Sequence, residues 1–315
     1  MRERQLIQRI RKLAGSPANR AVAQGIGDDC AILRPRAGYE LLVTTDFAIE
    51  NVHFRRDWHP AESVGHRCLA RGLSDIAAMG GTPLACFLSL GLPRNLQQRW
   101  IDGFFRGLQA LARRFRVQLA GGDLSSAREI VADIVVLGQV PAGRGVLRSG
   151  ARPGDRIYVT GPLGGSALAV KQLSAGKKVR PAKSNLHFYP QPRIAVGRRL
   201  QEHGLPSAMI DLSDGLSVDL LHICEESGVS AQIHEAEIPI ARGANLSLAL
   251  HGGEDYELLF TAPAKARMPR RIAGVSVTGI GVIQKRTNYS SAIRILGENG
   301  RLSSLEPGGW EHFKR

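Results

Sequence analysis

Cysteine is scarce in this 315-residue chain: Cys30, Cys68, Cys86 and Cys224 are scattered, with no C-x-x-C pair. That pattern argues against a zinc site and a disulfide framework, and for packed, reduced thiols in the cytoplasm. Long hydrophobic runs are missing as well. No apolar stretch approaches the roughly 18 residues that span a bilayer. The N-terminal "MRERQLIQRIRKLAG" is charged, with Leu6, Ile7, Ile10 and Leu13 on one helical face, and lacks the continuous apolar core of a signal peptide. The familiar nucleotide signatures are also absent. No G-x-x-x-x-G-K-[ST] occurs, which excludes a P-loop, and no protein-kinase motif set is present. "GIGDDC" lacks the third glycine of a dinucleotide fingerprint, and its two Asp would repel a pyrophosphate unless a metal intervened.

Positive charge is abundant. Lys and Arg number 42 against 28 acids, a formal net charge of +14. Basic residues cluster at Arg113, Arg114 and Arg116, between Lys177 and Lys183, and between Lys265 and Arg271. Such a balance raises RNA binding as an alternative. The chain shows neither an aromatic-interleaved basic stripe nor a helix-turn-helix signature. A solvated basic surface that attracts anionic small molecules is the preferred reading.

Hydrophobic periodicity organises the chain. The first 14 residues read as a helix, followed by strands near 31–33 and 40–45. Pro60 opens a helix that runs to about Met79 and stops at "GGTP". "LACFLSLGLP" reads as a buried strand, and Asn95 as the cap of a helix carrying Leu96, Trp100, Phe104, Leu108, Leu111 and Phe115. Strands return at 117–120 and 130–140. "PAGRGVLRSGARPGD" is the best candidate linker, so the domains are expected at 1–140 and 150–315, both mixed α and β. "GPLGGS" after the next strand offers a weak phosphate cradle on helix N–H groups. In "DLSDGLSVDLLHICEESG", Leu216, Leu220, Ile223 and Cys224 form one helical stripe, and Ser213 or Asp214 can serve as N-cap.

One acid suffices for a cap, yet acids recur in small-residue settings along the whole chain: "GIGDDC", "TTD", "GLSD", "GGD", "DLSDG" and "GGEDYE". Glycine beside an acid permits close backbone approach, and loops at strand ends and helix starts usually carry function. Two carboxylates about 4 Å apart repel by roughly 4 kcal/mol at an effective dielectric of 20. If these acids converge, cations must neutralise them. The motifs contain almost no Cys or His, so hard oxygen-binding cations are favoured, and Mg²⁺ usually arrives with phosphates. The acid pattern therefore points to Mg-nucleotide chemistry.

In order, "GIGDDCAIL", "TTDFAIENVHF", "LSDIAAMGGTP", "GGD", "RSGARPGDRIYVTG", "IDLSDGLSVDL", "GGEDYELLFT" and "GGWEHF" closely resemble thiamine-monophosphate kinases over nearly the full length. This family shares its superfold with aminoimidazole ribonucleotide synthetase and selenophosphate synthetase. The resemblance implies a two-domain α/β (PurM-like) fold, with N-terminal sheets pairing into a β-barrel across a homodimer. It also implies ATP in a cleft between the domains, several Mg²⁺ ions, and thiamine monophosphate as acceptor. By matching position it marks Asp29, Thr44, Thr45, Asp46, Asp75, Asp123, Asp211 and Asp214 as metal ligands, some through water. Gly122, Asp123, Arg148 and Ser213 become contacts to ATP. His53, Glu254 and Trp310 become contacts to thiamine monophosphate. Asp211 would then stand before a helix and Asp214 on its first turn. This sequence departs from the family at Asn51, where Gly is frequent, at Gly72, where Asn is, and at Leu124, where a hydroxyl residue is.

The implied reaction makes thiamine diphosphate and ADP. Its nucleophile is a phosphate oxygen, anionic already because the second phosphate pKa is about 6, so no acid or base residue is required. Neutralising two polyanions and holding them in line is the remaining task. Two related activities remain as alternatives. Selenophosphate synthesis would call for a reactive N-terminal Cys, whereas the first thiol here is Cys30, and aminoimidazole ribonucleotide synthesis would close a ring on a ribotide.

Overall fold

Eighteen-residue helices that pack closely on each other need notches, and the sequence supplies them as glycines. The computed structural model describes residues 3–15, 19–27, 29–182, 185–286 and 292–309. In chain order its first elements are α1 (Glu3–Ala14), β1 (Val22–Gln24), β2 (Ile32–Leu33), β3 (Tyr39–Ile49), α2 (Ala61–Ala78), β4 (Thr82–Leu92), α3 (Gln98–Phe115), β5 (Gln118–Ser126) and β6 (Val131–Pro141). A Cβ on Gly65 of α2 would fall 1.9 Å from the Phe104 carbonyl oxygen, and one on Gly107 of α3 only 1.8 Å from that of Glu62. Gly in a helix interior costs about 0.5–1 kcal/mol; here it lets two backbones touch.

Strands β3, β6, β4 and β5 form a sheet in that order, with β4–β5 parallel and the other pairs antiparallel. Along β6 buried residues alternate with half-buried ones. Ile134 and Val136 point to the side on which Leu69, Leu73, Phe104 and Leu108 are buried. The expected cap at Asn95 is not made. The helix begins at Gln98 with Gln97 at its N-cap position and no side-chain cap. A turn closed by the Leu96 N–H on the Pro93 carbonyl keeps Asn95 ahead of the helix.

Two units divide the chain. The first comprises Met1–Ile76, Gly81–Gly143 and Arg180–Gln191. Its last segment is strapped to α2: Ser63 Oγ donates to the Phe188 carbonyl at 2.9 Å, His66 Nε2 meets the Pro190 carbonyl at 2.7 Å, and the His59 and His187 rings meet nitrogen to nitrogen at 3.1 Å. The second comprises Ala77–Gly80, Arg144–Val179 and Pro192–Arg315. It contains β7 (Arg156–Thr160), α4 (Gly165–Ser174), α5 (Ile194–Glu202), β8 (Ala208–Asp211), α6 (Leu216–Ser227), β9 (Val229–His234), α7 (Leu246–His251), β10 (Leu258–Ala262), β11 (Arg271–Ile272), β12 (Val275–Lys285), β13 (Ile293–Leu296) and β14 (Leu302–Ser304). Among the described residues its sheet runs β14-β13-β9-β12-β7-β10-β8, with β11 beside β12. The expected stripe Leu216, Leu220, Ile223 and Cys224 is buried against Ile157, Ile210, Leu259 and Ile283. No helix among the described residues is long and apolar enough to cross a membrane.

Candidate active site

Glycine-rich turns place the first group of acids. In the first unit a cavity of about 670 Å³ is lined by Ile7, Ile10, Phe105 and Leu119 inside, and by Arg11, Asp29, Gly122 and Asp123. Gly122 has φ +150°, and a Cβ there would sit 1.9 Å from the Leu88 carbonyl oxygen. Only glycine lets β5 lie this close to β4 while presenting Asp123. On the opposite rim, a Cβ on Gly27 would meet the Arg11 guanidinium at 2.6 Å. A cation thus lies over the "GIGDDC" loop. Asp29, Cys30 and Asp123 are exposed, and Leu124 lines the same cavity.

A second group sits on β3. Thr44 Oγ1 donates to Asp75 Oδ2 of α2. Asp46, two residues on, shares that face and is half-buried. Adjacent residues on a strand point oppositely, and Thr45 does so: its Oγ1 donates to Asp133 Oδ1 at 2.7 Å on the face away from the helices. Strands β6 and β4 separate β3 from β5, so three inter-strand steps of about 4.8 Å put roughly 14 Å between the backbones that carry Asp46 and Asp123. Within one chain, Thr44, Asp46 and Asp75 form one group and Asp29, Gly122 and Asp123 another. His53 Nδ1 accepts the Ile49 N–H at 3.1 Å and shares a small pocket with Arg67 and Arg71.

The family departures fit locally. Asn51 has φ +63°, a left-handed conformation that Asn and Gly tolerate best. At Gly72 a Cβ would already meet Val136 Cγ2 at 2.6 Å, which leaves no room for Asn.

The second unit gathers the later motifs. Asp211 ends β8 and is buried opposite Leu258 of β10. The loop after it is laced to "GGEDYE": Leu212 N–H donates to the Glu257 carbonyl, Tyr256 N–H to that of Leu212, and Glu254 N–H to that of Ser213, all within 2.8–2.9 Å. Glu254 and Tyr256 adopt φ +65° and +50°, strained for residues with side chains and clustered where such strain usually marks function. Ser213 and Asp214 are half-buried.

Neither Ser213 nor Asp214 caps α6. The N-cap position falls on Gly215 at φ +116°, and Asp219 does the work from inside the helix. Its Oδ2 accepts the N–H of Asp214 at 3.2 Å and of Gly215 at 3.0 Å. Asp214 consequently precedes the helix rather than lying on its first turn. Ligand atoms of Asp214, Asp219 and His222 lie within 4.8 Å of one another. Burial first, and the neighbouring Asp214 charge second, push the Asp219 pKa up to about 7, while the Arg148 charge opposes them. A hard cation would relieve that pair, so the oxygen donors present here suit Mg²⁺. The acid count missed Asp219 and His222. Their i, i+3 spacing on α6 was the available signal.

The cradle expected at "GPLGGS" is filled by the protein itself. Asp255 Oδ2 accepts the Gly164 N–H at 2.6 Å, and Oδ1 that of Ser166 at 3.2 Å. Burial pushes the Asp255 pKa up to about 7, against these hydrogen bonds. Glu257 is fully buried, paired with Arg193 and accepting from Thr160 Oγ1 at 2.6 Å. Arg148 is exposed, and its carbonyl accepts from Ser227 Oγ at 3.2 Å. Among the described residues, the lysines and arginines of the three basic clusters are exposed. Trp310 lies outside the described residues.

Comparison with known proteins agrees with this architecture. Residues 27–140 match the family described as AIR synthase related protein, N-terminal domain, and residues 152–291 match its C-terminal domain. The thiamine-monophosphate kinase of Salmonella typhimurium is 37% identical, covering 93% of this chain and 92% of its own. A crystal structure of the Stenotrophomonas maltophilia thiamine-monophosphate kinase superposes with a TM-score of 0.80 at 34% identity, covering 94% of this chain and 96% of its own. A structure of AaThiL complexed with AMPPCP and TMP covers 99% of each chain, with a TM-score of 0.77 and 31% identity.

Proposed function

The chain belongs to the thiamine-monophosphate kinase family, and on that premise we propose that its acid-rich loops hold Mg²⁺ against the phosphates of ATP and thiamine monophosphate. The enzyme phosphorylates thiamine monophosphate at the expense of ATP. An oxygen of the acceptor phosphate forms a bond to the γ-phosphorus, and the bond from that phosphorus to the β–γ bridging oxygen breaks. The products are thiamine diphosphate and ADP. The acceptor oxygen is anionic at neutral pH, since its pKa is about 6, so no side chain need take a proton.

What the chain contributes is placement. Asp29, Thr44, Asp46, Asp75, Asp123, Asp211 and Asp214 offer hard oxygen donors, alone or through water, whereas the Thr45 hydroxyl faces the other side of β3 and is left out of the set. Bound Mg²⁺ would supply charge neutralisation between the two polyanions. Gly122, Asp123, Arg148 and Ser213 contact ATP, and His53, Glu254 and Trp310 contact thiamine monophosphate. Asp219 fixes the Asp214 backbone from behind.

The observation that carries the nucleotide assignment is the cavity of about 670 Å³, apolar within and edged by Asp29, Gly122 and Asp123. Its size and character suit a nucleotide base, with the acids left for metal and phosphate. The uncovered sheet face bearing Leu41, Val43 and Phe47 is assigned to a second copy of the chain, and the reduced thiols to the cytoplasm.

Coupled ADP release, measured with and without thiamine monophosphate, tests the reaction. We expect release that depends on both thiamine monophosphate and Mg²⁺. Turnover of ATP indifferent to thiamine monophosphate would move the chain to another activity of the superfold.

A further inference from the structure

Helix α1 forms one wall of the cavity in the first unit, and it is pinned there. Leu6 and Ile10 bury its inner side. Arg9 donates through Nε and Nη2 to the two carboxylate oxygens of Asp102 on α3, each at 2.7 Å. Near the other end of the helix, Gln118 Nε2 donates to the Ala14 carbonyl at 3.2 Å. A two-point contact between guanidinium and carboxylate fixes orientation as well as distance. The face that α1 thereby presents to the cavity carries Ile7, Gln8, Ile10 and Arg11, residues three and four apart on one helical side.

Two polar side chains on that face divide the work by their chemistry. The Arg11 guanidinium lies against Gly27, 2.6 Å from where a Cβ would stand, so it marks the loop end of the cavity. Gln8, three residues earlier, stands about 4.5 Å back along the helix axis. A base held in an apolar pocket is oriented by a few polar groups. The distinguishing edge of adenine sets the 6-amino donor beside a ring-nitrogen acceptor, so its partner must both accept and donate. Ionised Asp29 and Asp123 only accept, and Arg11 only donates. Gln8 does both, and among the described residues lining the cavity it is the one side-chain amide. The same pairing lets Gln read adenine with two hydrogen bonds in nucleic acids.

We propose that Gln8 is the specificity-determining residue for the nucleotide: its Oε1 accepts from the 6-amino group of ATP, and its Nε2 donates to the adjacent ring nitrogen. Helix α1 is then the element that reads the base, while the acids at the rim are left to metal and phosphate. The inference deepens the reading of this cavity as the nucleotide-base site and rests on it. An amide that merely solvates the helix surface would be indifferent to the 6-amino group; one that reads the base must lose its effect when either partner is removed.

The test compares ATP with purine riboside triphosphate, which lacks only the 6-amino group, on the full chain. In the parent, KM for the analogue should exceed that for ATP by about 3- to 10-fold, the net effect of one hydrogen bond. Gln8 is exposed, and Ala suits a helix at least as well. In Gln8→Ala the two KM values should converge through a rise in that for ATP, with KM for thiamine monophosphate unchanged. Gln8→Glu can still accept from the 6-amino group and should retain a preference for ATP. A parent indifferent to the 6-amino group, or a Gln8→Ala enzyme that keeps the full preference, would overturn the proposal. Ile7→Trp tests the cavity itself: Ile7 is 40% exposed on the same wall, and Trp there should shift both nucleotide KM values together and keep their ratio. Unchanged KM values in folded Ile7→Trp would place the base elsewhere and defeat the cavity reading together with this inference. Shifted values there, beside an unaltered ratio in Gln8→Ala, would defeat the role of Gln8 alone.

Discussion

Cys30 is exposed while Cys68, Cys86 and Cys224 are buried, and this contrast makes it a reporter for the proposed nucleotide site. Burial pushes the thiols of Cys86 and Cys224 up to about 12, which leaves them inert to alkylation at neutral pH. Cys30 lines the cavity with Asp29 and Asp123. Iodoacetamide should therefore label one thiol of the native protein, and MgATP should slow that labelling at least several-fold; peptide mass spectrometry reads both outcomes. Asp214 gives a second residue-scale expectation. Replacing it with Asn should cost about 10² in the rate of ADP release, the typical effect of losing one electrostatic stabiliser. Its charge is also among the causes that raise the Asp219 pKa, so Asp214→Asn should unfold no earlier than the parent in metal-free buffer. A slower enzyme of equal or higher thermal midpoint is the combined result that supports the assignment. Most of the proposed acids were legible in the sequence because each sits in its own small-residue motif. Asp219 was not, since a lone acid inside an amphipathic helix reads as a solvated residue until its two backbone donors are seen.

Legibility at the scale of elements depended on whether the signal was periodic or conformational. The stripe on α6 follows from spacing alone and formed as expected, and the strand expected at 130–140 formed as β6. Caps and cradles did not follow, because they depend on which carboxylate reaches which N–H. Asp255 takes the N–H groups at the start of α4 from a loop about 90 residues away in sequence, and no local pattern announces it. This long-range cap has a consequence for pH. An unfolded Asp has a pKa near 3.8, and burial raises that of Asp255 to about 7. Between those values the folded state holds a proton that the unfolded state has released, so stability falls as pH rises through this window. Asp219 titrates upward for the same first reason and adds to the slope. Urea midpoints measured from pH 4.5 to 7.5 should decline for the parent and decline less steeply for Asp255→Asn. A parent curve that rises across the window would show that the two N–H bonds outweigh burial at Asp255.

For the whole molecule the resemblance supplied the two-unit architecture, but the strap from Arg180 to Gln191 that joins the first unit was invisible: its contacts to α2 are made mainly through backbone carbonyls, which carry no sequence signature. The uncovered sheet face is a different matter, since the family resemblance implies a sheet that pairs with a second copy. Leu41, Val43 and Phe47 point away from the helices and are 44%, 65% and 54% exposed. Val135 and Leu137 lie beside them on β6, half-exposed. An apolar face of this kind on an antiparallel sheet marks an interaction surface, and here it opposes an electrostatic cost. Each chain carries a formal charge of +14, so two copies repel, and salt screens that repulsion over about 10 Å at 0.1 M. Apolar association held against like charge should tighten as salt is added, the reverse of an interface built on ion pairs. Light scattering behind size exclusion should therefore give a dimer mass whose dissociation constant falls between 50 mM and 500 mM NaCl. Val43→Asp or Phe47→Asp should halve that mass at either salt. A dimer indifferent to both substitutions would place the interface elsewhere, and a dimer that salt dissociates would show that charge, rather than this face, holds the two copies.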